Sequence, residues 1–206
     1  MEGTMAMDAK AISDRALELF LEDGFENVTV QDICDACSIT KPTFYRHVSS
    51  KEQIVLDAYE AIAQKLPEEL LEVFNTDDRW EQIVRCFDVL ISESCQMGPE
   101  LLSKALEINL SEDRHTIDMR APLTSTVVRV IELAQAEGRI LNASPADELF
   151  QAASYLFSGY ELTWCIKKGA FDWKSEMHRS LELLLQPAPA EPTPAEQCKQ
   201  GSGARA

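Results

Sequence analysis

The chain has 206 residues, enough for a small domain joined to a larger one, and its 45% hydrophobic and 26% charged residues are ordinary for a globular fold. Its formal net charge of −16 excludes a general nucleic-acid coat protein, because polyanions repel at long range, yet leaves room for a small basic patch. No apolar run approaches the roughly 18 residues that span a bilayer. The start MEGTMAMDAK lacks a basic region followed by an apolar core, and the six cysteines are scattered, so a cytoplasmic protein without a disulfide framework is expected.

Ile12, Ala16, Leu19 and Phe20 recur at helical spacing and predict a helix over about 8–23. Gly24 follows as a left-handed cap, with Phe25 placed to fold back on the last turn. Thr29 stands as an N-cap with Asp32 in the capping-box position. The helix it opens reaches about Cys37, with Val30, Ile33 and Cys37 on one face. After a break at 38–40, Thr40 caps a short helix from Lys41 to about His47, with Pro42 in its first turn. Ser50 caps a fourth helix, Lys51 to about Leu66; Pro67 punctuates the chain, and a short helix to Phe74 continues in the same direction after the kink.

Beyond a turn at 75–78, Trp80, Ile83, Val84, Phe87, Leu90 and Ile91 mark a strong helix that ends at Gly98-Pro99. Another helix runs from Pro99 to about Leu110, and 111–118 reads as a polar loop. A long helix over about 119–137 stops at Gly138. Pro145 opens the next, to about Lys168, and Asp172 caps the last, which ends by Gln186. No strand alternation and no internal repeat is present. The predicted fold is all-α with about nine helices: a three-helix domain over 1–52, a helical body over 53–186, and a Pro- and Ala-rich disordered tail over 187–206.

Cys34 and Cys37 have the CxxC spacing of a metal or redox site. No second CxxC and no HxxxH completes a ligand set, so close helix packing is the expected role. No cofactor and no metal is expected. There is no nucleophile elbow and no phosphate-binding loop, so the chain does not read as an enzyme.

The chemistry gathers between Ala36 and Lys51, a stretch of 16 residues without an acid. It holds Lys41, Arg46, His47 and Lys51 among the hydroxyls of Thr40, Thr43, Tyr45, Ser49 and Ser50. A local reversal of charge on a helix–break–helix is what a DNA-contacting element requires. Cations neutralise phosphates, while hydroxyls and helix N-termini fix the register. From charge alone, a solvated basic face reads almost equally well.

The run from Ile12 to Ile54 resembles the N-terminal domain of the TetR/AcrR family of transcriptional regulators. The resemblance is carried by Ala16, Leu19-Phe20, Gly24-Phe25, Thr29-Val30, Ile33, Ile39-Thr40-Lys41, Thr43-Phe44-Tyr45-Arg46 and Lys51-Glu52. The chain departs from the family at Ser38, where a turn glycine is common, at Pro42, and at His47-Val48 in place of an aromatic pair. These departures bear on which bases are read.

The resemblance implies that the helix capped by Thr40 enters the major groove of a palindromic operator. Lys41, Thr43 and His47 would reach bases, Thr29, Tyr45 and Lys51 would meet phosphates or sugars, and Arg46 could do either. It implies a homodimer formed by the last two helices, with Leu156, Trp164, Leu181 and Leu184 as interface candidates. It also implies a small-molecule effector cavity among the middle helices, with Trp80, Phe87, Met97, His115, Met119, Phe150 and Tyr160 as lining candidates. The expected function is a ligand-responsive dimeric repressor with no membrane partner. Two alternatives stay open: a ligand-blind DNA-binding factor, and a helical small-molecule-binding protein with weak or lost DNA binding.

Overall fold

The computed structural model describes residues 8–73, 76–111 and 121–189, and of 63–73 and 121–123 the backbone alone. Its helices are α1 (Ala9–Asp23), α2 (Val30–Ala36), α3 (Lys41–His47), α4 (Lys51–Val73), α5 (Arg79–Ser111), α6 (Ala121–Ala136), α7 (Ala146–Ile166) and α8 (Trp173–Leu185). These are eight elements among the described residues, against about nine helices expected; α5 holds two helical segments broken at Gly98, where φ 77° and ψ 157° are non-helical, as expected for a helix ending at Gly98-Pro99. The helix that opens at Lys51 continues past Pro67 to Val73 as one element, α4.

The first three helices form a compact head. Asp8 caps α1 by accepting the Ala11 N–H at 2.8 Å, and Ile12, Ala16 and Phe20 are its buried stripe. At the far end Gly24, at φ 86°, sends its N–H to the Phe20 carbonyl. The ring of Phe25 then returns edge-on to Phe20, with centroids 5.0 Å apart. Thr29 and Asp32 form a full capping box at the start of α2, and Thr40 caps α3. Phe44 anchors α3 with no exposed surface. A seven-residue helix has little stability of its own, so this anchor holds it in place. Cys34 and Cys37 are buried, and burial pushes both thiols up from their ordinary range, away from nucleophilic chemistry.

The expected boundary at 52/53 falls inside α4. That helix starts in the head and continues for 23 residues, about 35 Å, along the body. Its principal partner is α5, which also packs on α1, α6, α7 and α8. The body core contains an aromatic chain: Phe87 meets Phe157 at 6.3 Å, Phe157 meets Trp173 at 4.9 Å, and Trp173 meets Trp164 at 6.1 Å.

The end of α8 is tied back beside the α6–α7 connection. Leu141 N–H reaches the Gln186 carbonyl at 3.0 Å, and Ala188 N–H reaches the Arg139 carbonyl at 2.8 Å. Pro187 pairs with Ile140 across an antiparallel bridge. Ordered chain therefore continues past Gln186, because the first residues of the expected tail find backbone partners. Residues 190–206 lie outside the described chain. Among the described residues no helix is long and apolar enough to cross a membrane.

Candidate nucleic-acid interface

The face of α3 that turns outward follows from its anchor. With 3.6 residues per turn, the positions opposite Phe44 are Pro42 and Arg46. Lys41 and Tyr45 share one flank of that outward face, and Thr43 and His47 share the other. Lys41, Tyr45 and Arg46 are exposed, while Thr43 and His47 are half-buried. Tyr45 rests edge-on against Phe44 at 5.3 Å, so the core orients its ring while more than half of the residue is exposed.

The flank of Lys41 and Tyr45 faces a cleft of about 330 Å³ lined by Thr29, Tyr45, Ser50 and Lys51 and bordered by Glu26 and Glu52. The structure thus brings Thr29, Tyr45 and Lys51 together, but it occupies two of them. The Thr29 hydroxyl donates to Asp32 Oδ2 at 2.6 Å, and the Thr29 N–H donates to the same oxygen at 2.8 Å. These two donors, the hydroxyl foremost, hold the Asp32 carboxyl below the usual carboxylate range. Lys51 donates to the carbonyls of Phe25 at 2.9 Å and Val28 at 3.0 Å. Its ammonium ties α4 to the turn before α2 with two of its three N–H donors.

The other flank faces α1. His47, Val48 and Ser49 line a groove of about 810 Å³ with Ala9, Ser13, Leu17, Ile54 and Ala58. His47 therefore stands apart from Thr29, Tyr45 and Lys51, and its Nε2 lies 3.3 Å from Arg46 Nη2. Thr40 and Thr43 share a hydroxyl contact of 3.0 Å at the helix start. Elsewhere on the head, Lys10 pairs with Asp14 and Arg15 with Glu18, which leaves Lys41 and Arg46 as the exposed cations of the acid-free stretch.

The other sequence candidates are dispersed. Phe87 and Phe150 are buried in the body core, Trp80 packs partly buried against it, and Tyr160 donates to or accepts from Ser180 at 2.6 Å. Met97 lines a small cleft between head and body with Leu17, Leu21 and Ala58. His115 and Met119 lie outside the described residues. Of the four interface candidates, Trp164 and Leu181 are buried within the subunit, because large apolar side chains on the inner faces of α7 and α8 complete the core. The apolar groups these helices leave exposed are Tyr155, Leu162 and Ile166 on α7 and Leu183 on α8, which sequence reasoning missed. Their spacing of seven and four residues along α7 was the available signal.

Residues 12–58 match the family described as bacterial regulatory proteins, tetR family. Over 47 residues the chain is 47% identical to the HTH-type transcriptional regulator TcmR of Streptomyces glaucescens, covering 23% of this chain and 21% of that regulator. Over 59 residues it is 37% identical to the uncharacterized HTH-type transcriptional regulator YdeS of Bacillus subtilis (strain 168), covering 28% and 30%. The chain thus matches less than a third of the length of these curated relatives. Solved structures share the whole fold. FadR of Thermus thermophilus, a TetR-family transcriptional repressor crystallised with lauroyl-CoA, superposes with a TM-score of 0.67 at 21% identity, covering 90% of this chain and 97% of that one. PfmR, a TetR-family transcriptional regulator also from Thermus thermophilus, superposes with a TM-score of 0.62 at 18% identity, covering 85% and 97%. The head, over residues 12–58, thus matches the tetR family of bacterial regulatory proteins, and the chain as a whole shares its fold with solved TetR-family regulators.

Proposed function

We propose that the protein is a homodimeric transcriptional regulator, acting in the bacterial cytoplasm, that reads a palindromic operator with α3 and releases it when a small molecule binds the helical body. The placement of Arg46 carries the DNA half of this reading. It is exposed, opposite the buried anchor Phe44, inside the acid-free stretch of an acidic chain. A guanidinium there can donate both of its parallel N–H groups to a guanine edge in the major groove. In this reading Lys41, which the resemblance assigned to bases, serves phosphates with the Tyr45 hydroxyl on one flank of Arg46, while Thr43 and His47 lie on the other flank, beside the bases. Two heads related by a two-fold axis would read half-sites about 34–36 Å apart.

The effector half draws on the fold shared with a repressor crystallised with lauroyl-CoA. It also draws on one chemical feature of the body. Among the described residues the buried Trp173 indole N–H has no hydrogen-bond partner, and it sits in the aromatic chain of Phe87, Phe157 and Trp164. A buried donor without an acceptor is a standing cost that a ligand acceptor would relieve. A rival reading, a small-molecule binder whose head has lost DNA affinity, draws on the net charge of −16 and on Glu26 and Glu52 beside the cleft.

Selection from random duplex DNA with the full chain at low salt decides between the two. The expected result is enrichment of a palindrome. Arg46→Ala should weaken binding about tenfold or more and relax specificity at one base pair per half-site. Lys41→Ala should weaken all sequences alike and flatten the salt dependence by about one unit of slope. Failure to enrich any sequence rejects the DNA half in favour of the rival.

A further inference from the structure

Phe25 is where the head meets the body. Two ammonium groups approach its ring, Lys51 Nζ from α4 at 4.2 Å and Lys104 Nζ from α5 at 5.3 Å from the centroid. Its backbone is held from both sides as well. Lys51 donates to the Phe25 carbonyl at 2.9 Å, and the Phe25 N–H donates to Glu100 Oε1 at 3.1 Å. One residue further along, Glu26 pairs with Lys104 at 3.1 Å. The α1–α2 turn is therefore gripped by the second half of α5, across 75 residues of sequence.

Two glycines make the grip possible. Gly98, in a left-handed conformation that side-chain-bearing residues avoid, turns Pro99 to Lys104 toward the head. A Cβ on Gly24 would stand 3.1 Å from Glu100 Oε1 and crowd it, so the carboxylate reaches Phe25 over a position kept clear by glycine, whose φ of 86° other residues avoid. A Cβ on Gly98 would meet Leu21 in the last turn of α1 at 3.8 Å. The kink and the turn thus pack on each other.

We infer that Glu100 and Lys104 are positioning residues for DNA reading, clamping the α1–α2 turn to α5 and fixing the angle at which the head presents α3. The inference rests on the DNA-reading function proposed above. α2 begins five residues beyond Phe25, and α3 packs on α2, so displacement of the turn carries the recognition face with it. α5 also holds α8 through Asp88, which meets His178 at 2.6 Å and Lys174 at 2.9 Å, and touches α7 through Phe87 and Phe157. The clamp gives movement in the body a route to the head besides α4. Neither clamp residue is on α3, so neither needs to touch DNA.

The test uses the full chain, the tightest duplex that the wild-type protein selects, and the variants Glu100→Ala, Glu100→Gln and Lys104→Met. Glu100→Ala should bind about tenfold more weakly, as expected for loss of one charge-assisted hydrogen bond at a geometric pivot. Its salt slope should match wild type, because no phosphate contact is lost. Glu100→Gln keeps an oxygen for the Phe25 N–H and should recover most of the affinity. Lys104→Met should lose less than Glu100→Ala, also with an unchanged slope. The Phe25 amide should exchange faster with solvent in Glu100→Ala while helix content stays at the wild-type level. Wild-type affinity in Glu100→Ala, no rescue by Glu100→Gln, or a flattened slope in Lys104→Met each overturns the inference. If the wild-type chain selects no duplex, the DNA reading fails on its own. Amide exchange then decides the clamp, with an unchanged Phe25 rate overturning it.

Discussion

Glu161 shows how a single residue can escape sequence reasoning and still shape the molecule. It sits on α7 with 1% of its surface exposed, and its partner is the Tyr59 hydroxyl of α4, at 3.1 and 3.3 Å from its two oxygens. Burial, only partly offset by that hydroxyl, pushes its carboxyl from 4.5 up to about 7. Burial, together with the charge and hydrogen bond of Glu161, likewise raises the Tyr59 phenol above its ordinary range. The sign for stability follows from linkage. Below about pH 4.5 the folded and unfolded chains both keep the proton, and the contribution of Glu161 is fully present. As pH rises through about 7 the unfolded chain has already released its proton, so this contribution is progressively lost. The melting temperature of wild type should therefore fall relative to Glu161→Gln between pH 5 and pH 8. Parallel melting profiles would sink the assignment. A carboxylate on a helix ordinarily reads as solvent-facing, which is why the sequence did not single it out. Its register, four residues after Phe157 and three before Trp164, was the clue that it shares their inward face.

At the scale of the element, the head was readable wherever its stabilisation is local. The capping box of Thr29 and Asp32, the Thr40 cap and the glycine end of α1 were all apparent from adjacent letters, and the structure has each of them. What adjacent letters could not show is how side chains are used across distance. Lys51 spends its ammonium on carbonyls 23 and 26 residues away, and Glu100 reaches back 75 residues to Phe25. The helix junctions of the body were legible too, the break at Gly98 among them.

The turn between α2 and α3 carries a cost of its own. Ser38, where the resemblance led one to expect a glycine, takes φ 53°, at which a Cβ crowds the backbone by roughly 1–2 kcal/mol. Ser38→Gly should raise stability by about 0.5–1 kcal/mol, the greater freedom of glycine in the unfolded chain taking back part of the gain. A urea midpoint that rises with an unchanged denaturant slope would show it, and an unchanged or lower midpoint would refute it.

For the whole molecule, the question is which surface a second copy would cover. Reasoning by family pointed to the last two helices, and the structure distinguishes their two sides. Trp164, with Leu181 and Met177, faces inward and completes the subunit's own core. Tyr155, Leu162 and Ile166 follow one line along the outside of α7, 70%, 48% and 70% exposed, and Leu183 on α8 is 73% exposed. Gly159 lies on the same line and leaves open space where a side chain would stand. A row of large apolar groups with a gap among them is an ill-suited face toward water and a well-suited one for close helix contact. Leu162→Asp combined with Ile166→Asp should therefore convert a dimer to a folded monomer in sedimentation equilibrium, while helix content stays at the wild-type level. Operator binding should weaken by orders of magnitude in the same variant, because one head alone reads half a palindrome. Leu181→Ala should act the other way round, lowering stability by about 2–5 kcal/mol through the cavity it leaves, with the dimer persisting as long as the subunit is folded. A double aspartate variant that still sediments as a dimer would place the two-fold axis on another face of the molecule. The spacing of the two reading heads would then have to be set from there, and the proposed geometry on DNA would not hold.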